Sequence, residues 1–348
     1  MKNWIYIIFI GLMGFLASSC QHSLEEDVQY SRTSGKAQLT FTIALESIDS
    51  RSRASWNQNE SDNVSEVGTV YENQIDLTSE DGLQVFVYGL DGKLLGEVTD
   101  KDVYKISDKD NMYKFNGKLE IEDLPSETLR CHLMVYANCT SSTETFSYDV
   151  RYIPMWGLKE TTLNLAKGEL TEVGEPIYLL RAMAKVSVKL DAAISTEFEL
   201  DSVTIDKYNQ KGNVLPAYKT LVDTEDMDLG TVFNPDTTFL GTDLAFNKIS
   251  SDEYSVYLPE YCNEGEDASP ATISVVIDGK SYALEFKNYI NGQVGSDAYN
   301  IVRNHYYQYV ITSVNTGVEV SFSYQSIPWQ DVDNGNLNFG NGDGNVMN

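Results

Sequence analysis

The sequence predicts an all-β chain folded as antiparallel β-sandwiches, and three observations predict it. Apolar residues alternate with polar ones at a period of two almost everywhere. The alternating stretches are short and closed by Gly, Asn and Asp turns. Helical pattern is confined to one short candidate near Thr220–Asp228.

The chain opens with Met1, Lys2 and Asn3 and an apolar run from Trp4 to Leu16, too short to span a bilayer as a mature helix, so residues 1–19 read as a signal peptide. The run ends in Leu16, Ala17, Ser18, Ser19 and Cys20, which reads as a lipobox whose thiol accepts a diacylglycerol. Leu16 stands four places before the Cys where three is usual. Two or more acyl chains hold a protein on a membrane because each buried methylene contributes about 0.8 kcal/mol. Glu25, Glu26 and Asp27 then form an acidic cluster that fits either a surface-export signal or a solvated tether.

The first strand is Ala37–Leu45, with Leu39, Phe41, Ile43 and Leu45 on one face and Gln38, Thr40 and Thr42 on the other. Leu83–Tyr88 is a continuous run closed by Gly89, Leu90, Asp91 and Gly92. Leu129–Ala137 places Leu129, Cys131, Leu133, Val135 and Ala137 inward and Arg130, His132 and Tyr136 outward. Leu163–Ile177 is rich in Gly and Glu, and a domain boundary is expected near Leu180. Beyond it, Ala184, Val186, Val188 and Leu190 alternate with Lys185, Ser187 and Lys189. The pattern returns at Tyr254–Leu258, Ala271–Ile277, Ser281–Phe286 and Tyr306–Val314. The tail from Gln330 is Asn- and Gly-rich.

Charge and cysteine usage exclude several classes. A net charge of −27 and a pI near 4.3 argue against nucleic acid, since a binder must neutralise phosphates with Lys and Arg. Apart from Cys20 the cysteines are Cys131, Cys139 and Cys262. The first two lie about 25 Å apart if the segment is extended throughout, too far for a disulfide unless it turns. Of the three histidines, His22 lies in the tether, His305 among tyrosines, and His132 reads as a surface side chain. Neighbouring strand residues face opposite ways, so Cys131 and His132 are not a preformed nucleophile and base. There is no GxSxG, HExxH, P-loop or CxxC, and the expectation is no catalytic residue, no cofactor and no metal. Asp331, Asp333, Gly335 and Asn336 begin like a calcium loop, but Gly342 stands where the bidentate Glu belongs. Asn63-Val64-Ser65 and Asn138-Cys139-Thr140 match the glycosylation pattern and read as coincidence in a bacterial lipoprotein.

Several stretches together resemble the fimbrillins, the subunits of type V pili. They are Thr42-Ile43-Ala44-Leu45 followed by Arg51-Ser52-Arg53-Ala54, then Val85-Phe86-Val87-Tyr88, Leu133 to Asn138, and Ile153-Pro154-Met155-Trp156-Gly157. In the second half come Arg181 to Val186, Tyr257-Leu258-Pro259-Glu260, Arg303 to Tyr307, and Ile327-Pro328-Trp329. The order holds from Cys20 to Trp329.

The resemblance implies two tandem transthyretin-like antiparallel β-sandwich domains, at 54–180 and 181–348, after a lipidated propeptide at 20–53. It implies an outer-membrane lipoprotein precursor, tethered to lipid through Cys20, whose first strand is cut away by an Arg-specific protease. A C-terminal strand of another pilus subunit, in a homo- or heteropolymer, then fills the groove, and the product is a cell-surface fimbrium engaged in adhesion. Asp49 to Ser55 is a polar, small-residue stretch carrying Arg51 and Arg53, with Ala54 as the new N-terminus, as an exposed cleavable loop requires. The matching donor is Val318–Tyr324. Val318, Val320, Phe322 and Tyr324 repeat the pattern of Leu39, Phe41, Ile43 and Leu45, although pattern alone leaves open which chain the strand joins. A non-polymerising surface lipoprotein, whether pilus anchor, adhesin or glycan-binding sandwich, is the second reading. An enzyme is the third and weakest.

Overall fold

The computed structural model describes residues 33–45, 66–67, 70–71, 74–80, 82–106, 112–124, 128–165, 170–215, 240–265, 269–290, 293–314 and 320–327, and every regular element among them is a β-strand. The chain is all-β, in several sheets. The short helix candidate near Thr220, the signal peptide, the acidic cluster, Asn63 and the Asp331 stretch lie outside the described residues.

The first half is built on β1 (Thr33–Ala44), β2 (Leu83–Gly89), β3 (Leu94–Lys105), β4 (Met112–Leu124), β5 (Thr128–Ala137) and β6 (Met155–Asn164). β1 and β4 form one layer, and β2, β5 and β6 form the other. β3 belongs to both. Its start pairs with β2 at Phe86↔Glu97, and its end pairs with β4 from Val98↔Leu119 to Lys105↔Tyr113. The register breaks between Thr99 and Asp102, and Asp100 there takes a φ of 48°, so the strand bends across the edge as bulged strands do. On the opposite edge, Ile177–Tyr178 pairs with β1 and Leu180–Arg181 pairs with β6, so the chain crosses between layers within a few residues. Gly157 permits this approach: a Cβ there would sit 2.5 Å from the Tyr178 carbonyl oxygen and 2.7 Å from Leu179 Cδ2. Both open edges are thereby closed around a core that includes Phe41, Val85, Phe115, Leu133 and Val135.

The second half uses β7 (Ala184–Leu190), β8 (Leu200–Ile205), β9 (Glu253–Leu258), β10 (Thr272–Ile277), β11 (Lys280–Glu285), β12 (Gln293–Ala298), β13 (Tyr306–Val314) and β14 (Val320–Ile327). One sheet runs β9, β7, β13, β14. The other runs β8, β10, β11, while β12 pairs with Lys287–Ile290. Val186, Val188, Val203, Ile273, Val275 and Tyr309 fill the core between the two sheets. A third cluster, with Phe86, Met134, Tyr136, Phe146, Trp156, Met183, Tyr257 and Tyr306, lies where the two halves meet.

The structure overturns part of the expected outward faces. His132 is buried rather than a surface side chain, and Tyr136, Lys185 and Ser187 are buried with it. Alternation marks the face turned to a strand's own core. It cannot show that the second face is covered too. Tyr136 packs in the joint between halves. Lys185 lies over the Tyr257 and Tyr306 rings at 5.7 and 5.4 Å, and Ser187 Oγ is 2.8 Å from the Tyr306 hydroxyl. His132 stands between Tyr88 and Glu160 across the sheet, and burial holds its imidazole below its ordinary pKa.

Cys131 and Cys139 are buried free thiols in separate clusters, and burial pushes each up to about 12. Cys262 is half-buried. Only a thiolate attacks a disulfide reagent. Among these three, a native-state thiol titration is therefore expected to modify Cys262 alone, with Cys131 and Cys139 reacting only on unfolding. Native labelling of Cys131 or Cys139 would contradict their packing.

Candidate assembly site

The residues singled out for assembly are the inward row of the first strand, the cleavable arginines, the lipidated cysteine and the last strand. The structure describes the first and, in its backbone, most of the last. Cys20, Arg51, Arg53, Ala54 and Val318 lie outside the described residues.

β1 is an inserted strand with a partner on each side. Along one side it pairs antiparallel with β4 over nearly its whole length, from Thr33↔Leu124 to Ala44↔Met112. Along the other it pairs in parallel with two short segments, Leu170–Glu172 at Gln38–Thr40 and Ile177–Tyr178 at Ile43–Ala44. Between them Val173 N–H donates to the Thr40 carbonyl at 3.0 Å, and beyond them Leu179 N–H donates to the Ala44 carbonyl at 2.9 Å. Leu39, Phe41, Ile43 and Leu45 each expose 0% of their surface, and the Phe41 ring stacks on Phe115 at 4.5 Å. Four such side chains contribute on the order of 6–12 kcal/mol before ordering costs. Removing β1 would thus open a slot in the middle of a sheet, with an apolar floor and two rows of unpaired backbone groups.

β14, which carries Val320, Phe322 and Tyr324, pairs antiparallel with β13 of its own chain, from Tyr306↔Ile327 to Val314↔Val320, with Ile311 opposite Phe322. It is the outermost strand of its sheet. In this state the donor stretch is therefore housed at home, and it would have to leave β13 to serve another chain.

Sequence reading missed a buried polar group in the second half. Arg303 and Glu260 form an ion pair at 2.8 Å with side chains 2% and 5% exposed. Both residues lie in stretches already singled out, but nothing in their spacing said they meet. Asn138 also differs from a free glycosylation acceptor. Its Nδ2 donates to the carbonyls of Gln74 and Ile153 at 2.8 and 2.9 Å, and its Oδ1 accepts from Asp76 N–H at 2.8 Å. Its φ of 59° suits the turn it caps. Among the described residues no group of three or more His, Cys, Asp or Glu side chains is placed to hold a metal.

The described residues thus form an all-β chain with two cores and a double-sided first strand. In structure it is similar to fimbrial proteins. One is the tip fimbrial protein Mfa3 from Porphyromonas gingivalis, with C-terminal truncation, at 11% identity and a TM-score of 0.49, covering 84% of this chain and 100% of that one. Another is the fimbrial anchor protein Mfa2 from Porphyromonas gingivalis, at 8% identity and a TM-score of 0.33, covering 85% and 98%. A candidate cell adhesion protein from Parabacteroides distasonis ATCC 8503 is similar at 14% identity and a TM-score of 0.45, covering 86% and 100%. No protein-family model matches the chain, and no curated protein matches it in sequence.

Proposed function

We propose that the chain is a structural subunit of a cell-surface fimbria that contributes to adhesion, with two tandem transthyretin-like sandwiches. In this reading it is made as an outer-membrane lipoprotein held through Cys20. An Arg-specific protease cuts it at Arg51 or Arg53, so that the new chain begins near Ala54, and it joins other pilus subunits by donor-strand exchange. The observation that carries the reading is the placement of β1. An edge strand could leave with little consequence, whereas this one leaves a slot that needs a strand of the same pattern. β-augmentation by a neighbour's terminal strand meets that need.

A second reading is favoured by the pairing of β14 with β13 in its own chain. A non-polymerising surface lipoprotein, whether anchor, adhesin or glycan-binding sandwich, would keep both strands at home. The two are separated by replacing Arg51 and Arg53 with Ala. In the subunit reading the variant keeps its fold and Cys20 lipid but yields no heat-sensitive ladder on a denaturing gel, while the parent does. A parent that is never cut between Asp49 and Ser55, or a variant that still ladders, would favour the second reading.

A further inference from the structure

The two halves are joined by more than a linker. Lys211–Asn213 of the second half pairs antiparallel with Thr145–Ser147 of the first, placing Gly212 opposite Phe146. Val214 N–H donates to the Glu144 carbonyl at 3.0 Å, and Tyr148 N–H donates to the Gln210 carbonyl at 2.9 Å. A two-stranded ribbon therefore bridges the halves. It lies very close: a Cβ on Gly212 would meet the Phe146 ring at 2.5 Å and Pro259 Cβ at 3.0 Å.

Arg303 fastens the far end of this ribbon. Its Nη1 donates to the Val214 carbonyl at 2.7 Å, and its Nη2 is 3.0 and 3.1 Å from the Asn213 and Leu215 carbonyls. Glu260 Oε2 balances the charge at 2.8 Å, and the Glu260 carbonyl accepts from Asn209 Nδ2 at 2.6 Å, tying the near end to the same point. A guanidinium suits this task because its donors are fixed in a plane, so it can meet several carbonyls at once where a lysine offers a single point charge. A buried ion pair adds little stability by itself, but a buried Arg deprived of its carboxylate is strongly disfavoured. The pair is thus suited to specifying one position of the segment that it holds.

We propose that residues 208–215 are an inter-domain strap locked by Arg303 and Glu260, and that the lock makes the two halves unfold and carry tension as one body. The inference stands whether or not the chain polymerises.

Calorimetry of the full chain, with hydrogen exchange at Tyr148 and Val214, tests it. The wild type should melt in one transition whose calorimetric and van't Hoff enthalpies agree. Its Tyr148 and Val214 amides should be protected as strongly as those in β1 and β7. Arg303→Lys and Glu260→Gln should split the melt in two and speed exchange at both amides at least tenfold, leaving the two cores protected. Gly212→Val, which displaces the strap without touching a charge, should do the same. A disulfide between Thr145→Cys and Asn213→Cys, directly opposed in the ribbon, should restore the single transition in Glu260→Gln. A wild type that melts in two steps, or whose Tyr148 and Val214 exchange faster than both cores, would overturn the proposal without any variant. So would an Arg303→Lys variant with one transition and unchanged exchange.

Discussion

Phe41→Ala is expected to lower the unfolding free energy of the intact chain by about 3–5 kcal/mol. The ring is wholly buried, stacks on Phe115 and sits in the middle of an inserted strand, so neither the sheet nor the layer beneath can easily collapse into the space it leaves. Urea denaturation followed at the first core would read the change as a shifted midpoint with an unchanged slope. A shift below about 1 kcal/mol would mean that β1 does not support the core it lies in. The same substitution should have no effect on chains already cut at Arg53, because they no longer contain the residue. That contrast separates a strand needed for folding from one needed for the final state.

Phe322→Asp should reduce ladder formation by cleaved subunits on the order of 100-fold or more, since an unpaired carboxylate in an apolar slot costs several kcal/mol and each 1.4 kcal/mol is tenfold. In the uncut monomer β1 keeps the slot filled, so any cost of the substitution there is confined to the outermost β13–β14 pairing and should be small beside the loss of ladders. The backbone pairing of β14 with β13 sharpens the test. A cystine linking position 322 to a slot-lining position should form between chains and only after cleavage. If it forms within one chain, or if Phe322→Asp unfolds the uncut monomer, the last strand belongs to its own domain.

Period-two alternation made several strands legible because one face of each meets a core, while β3, β4, β6 and β8 were not read from it. The row Leu39, Phe41, Ile43 and Leu45 was set on one face by pattern, Val186 and Val188 were set apart from their polar neighbours, and all are buried. Legibility ended where a strand has two covered faces. Ser187 and Lys185 look outward in sequence, yet a tyrosine hydroxyl and two aromatic rings receive them. The passage of β3 between layers depends on a local break at Asp100, which composition cannot show. Short pairings such as Thr145–Ser147 with Lys211–Asn213 bring together residues far apart in the chain that carry no alternating pattern of their own. The slot flanks were hidden for the same reason: Leu170–Glu172 and Ile177–Tyr178 are too short to read as strands and gain their structure by pairing with β1.

The two flanks of β1 also run in opposite senses. One neighbour is antiparallel to it and the other parallel, so a replacement strand keeps both sets of hydrogen bonds only by entering in one direction. A contact made by the end of one molecule in the slot of the next joins unlike surfaces. Repeated, it has no two-fold axis about which two subunits could satisfy each other through a single shared patch. Such a contact gives every subunit the same polarity along the assembly, leaving an unfilled slot at one end and an unused strand at the other. Growth and termination would then be chemically different events, governed at one end by a protein that offers a strand but no slot, and at the other by one that keeps its slot filled.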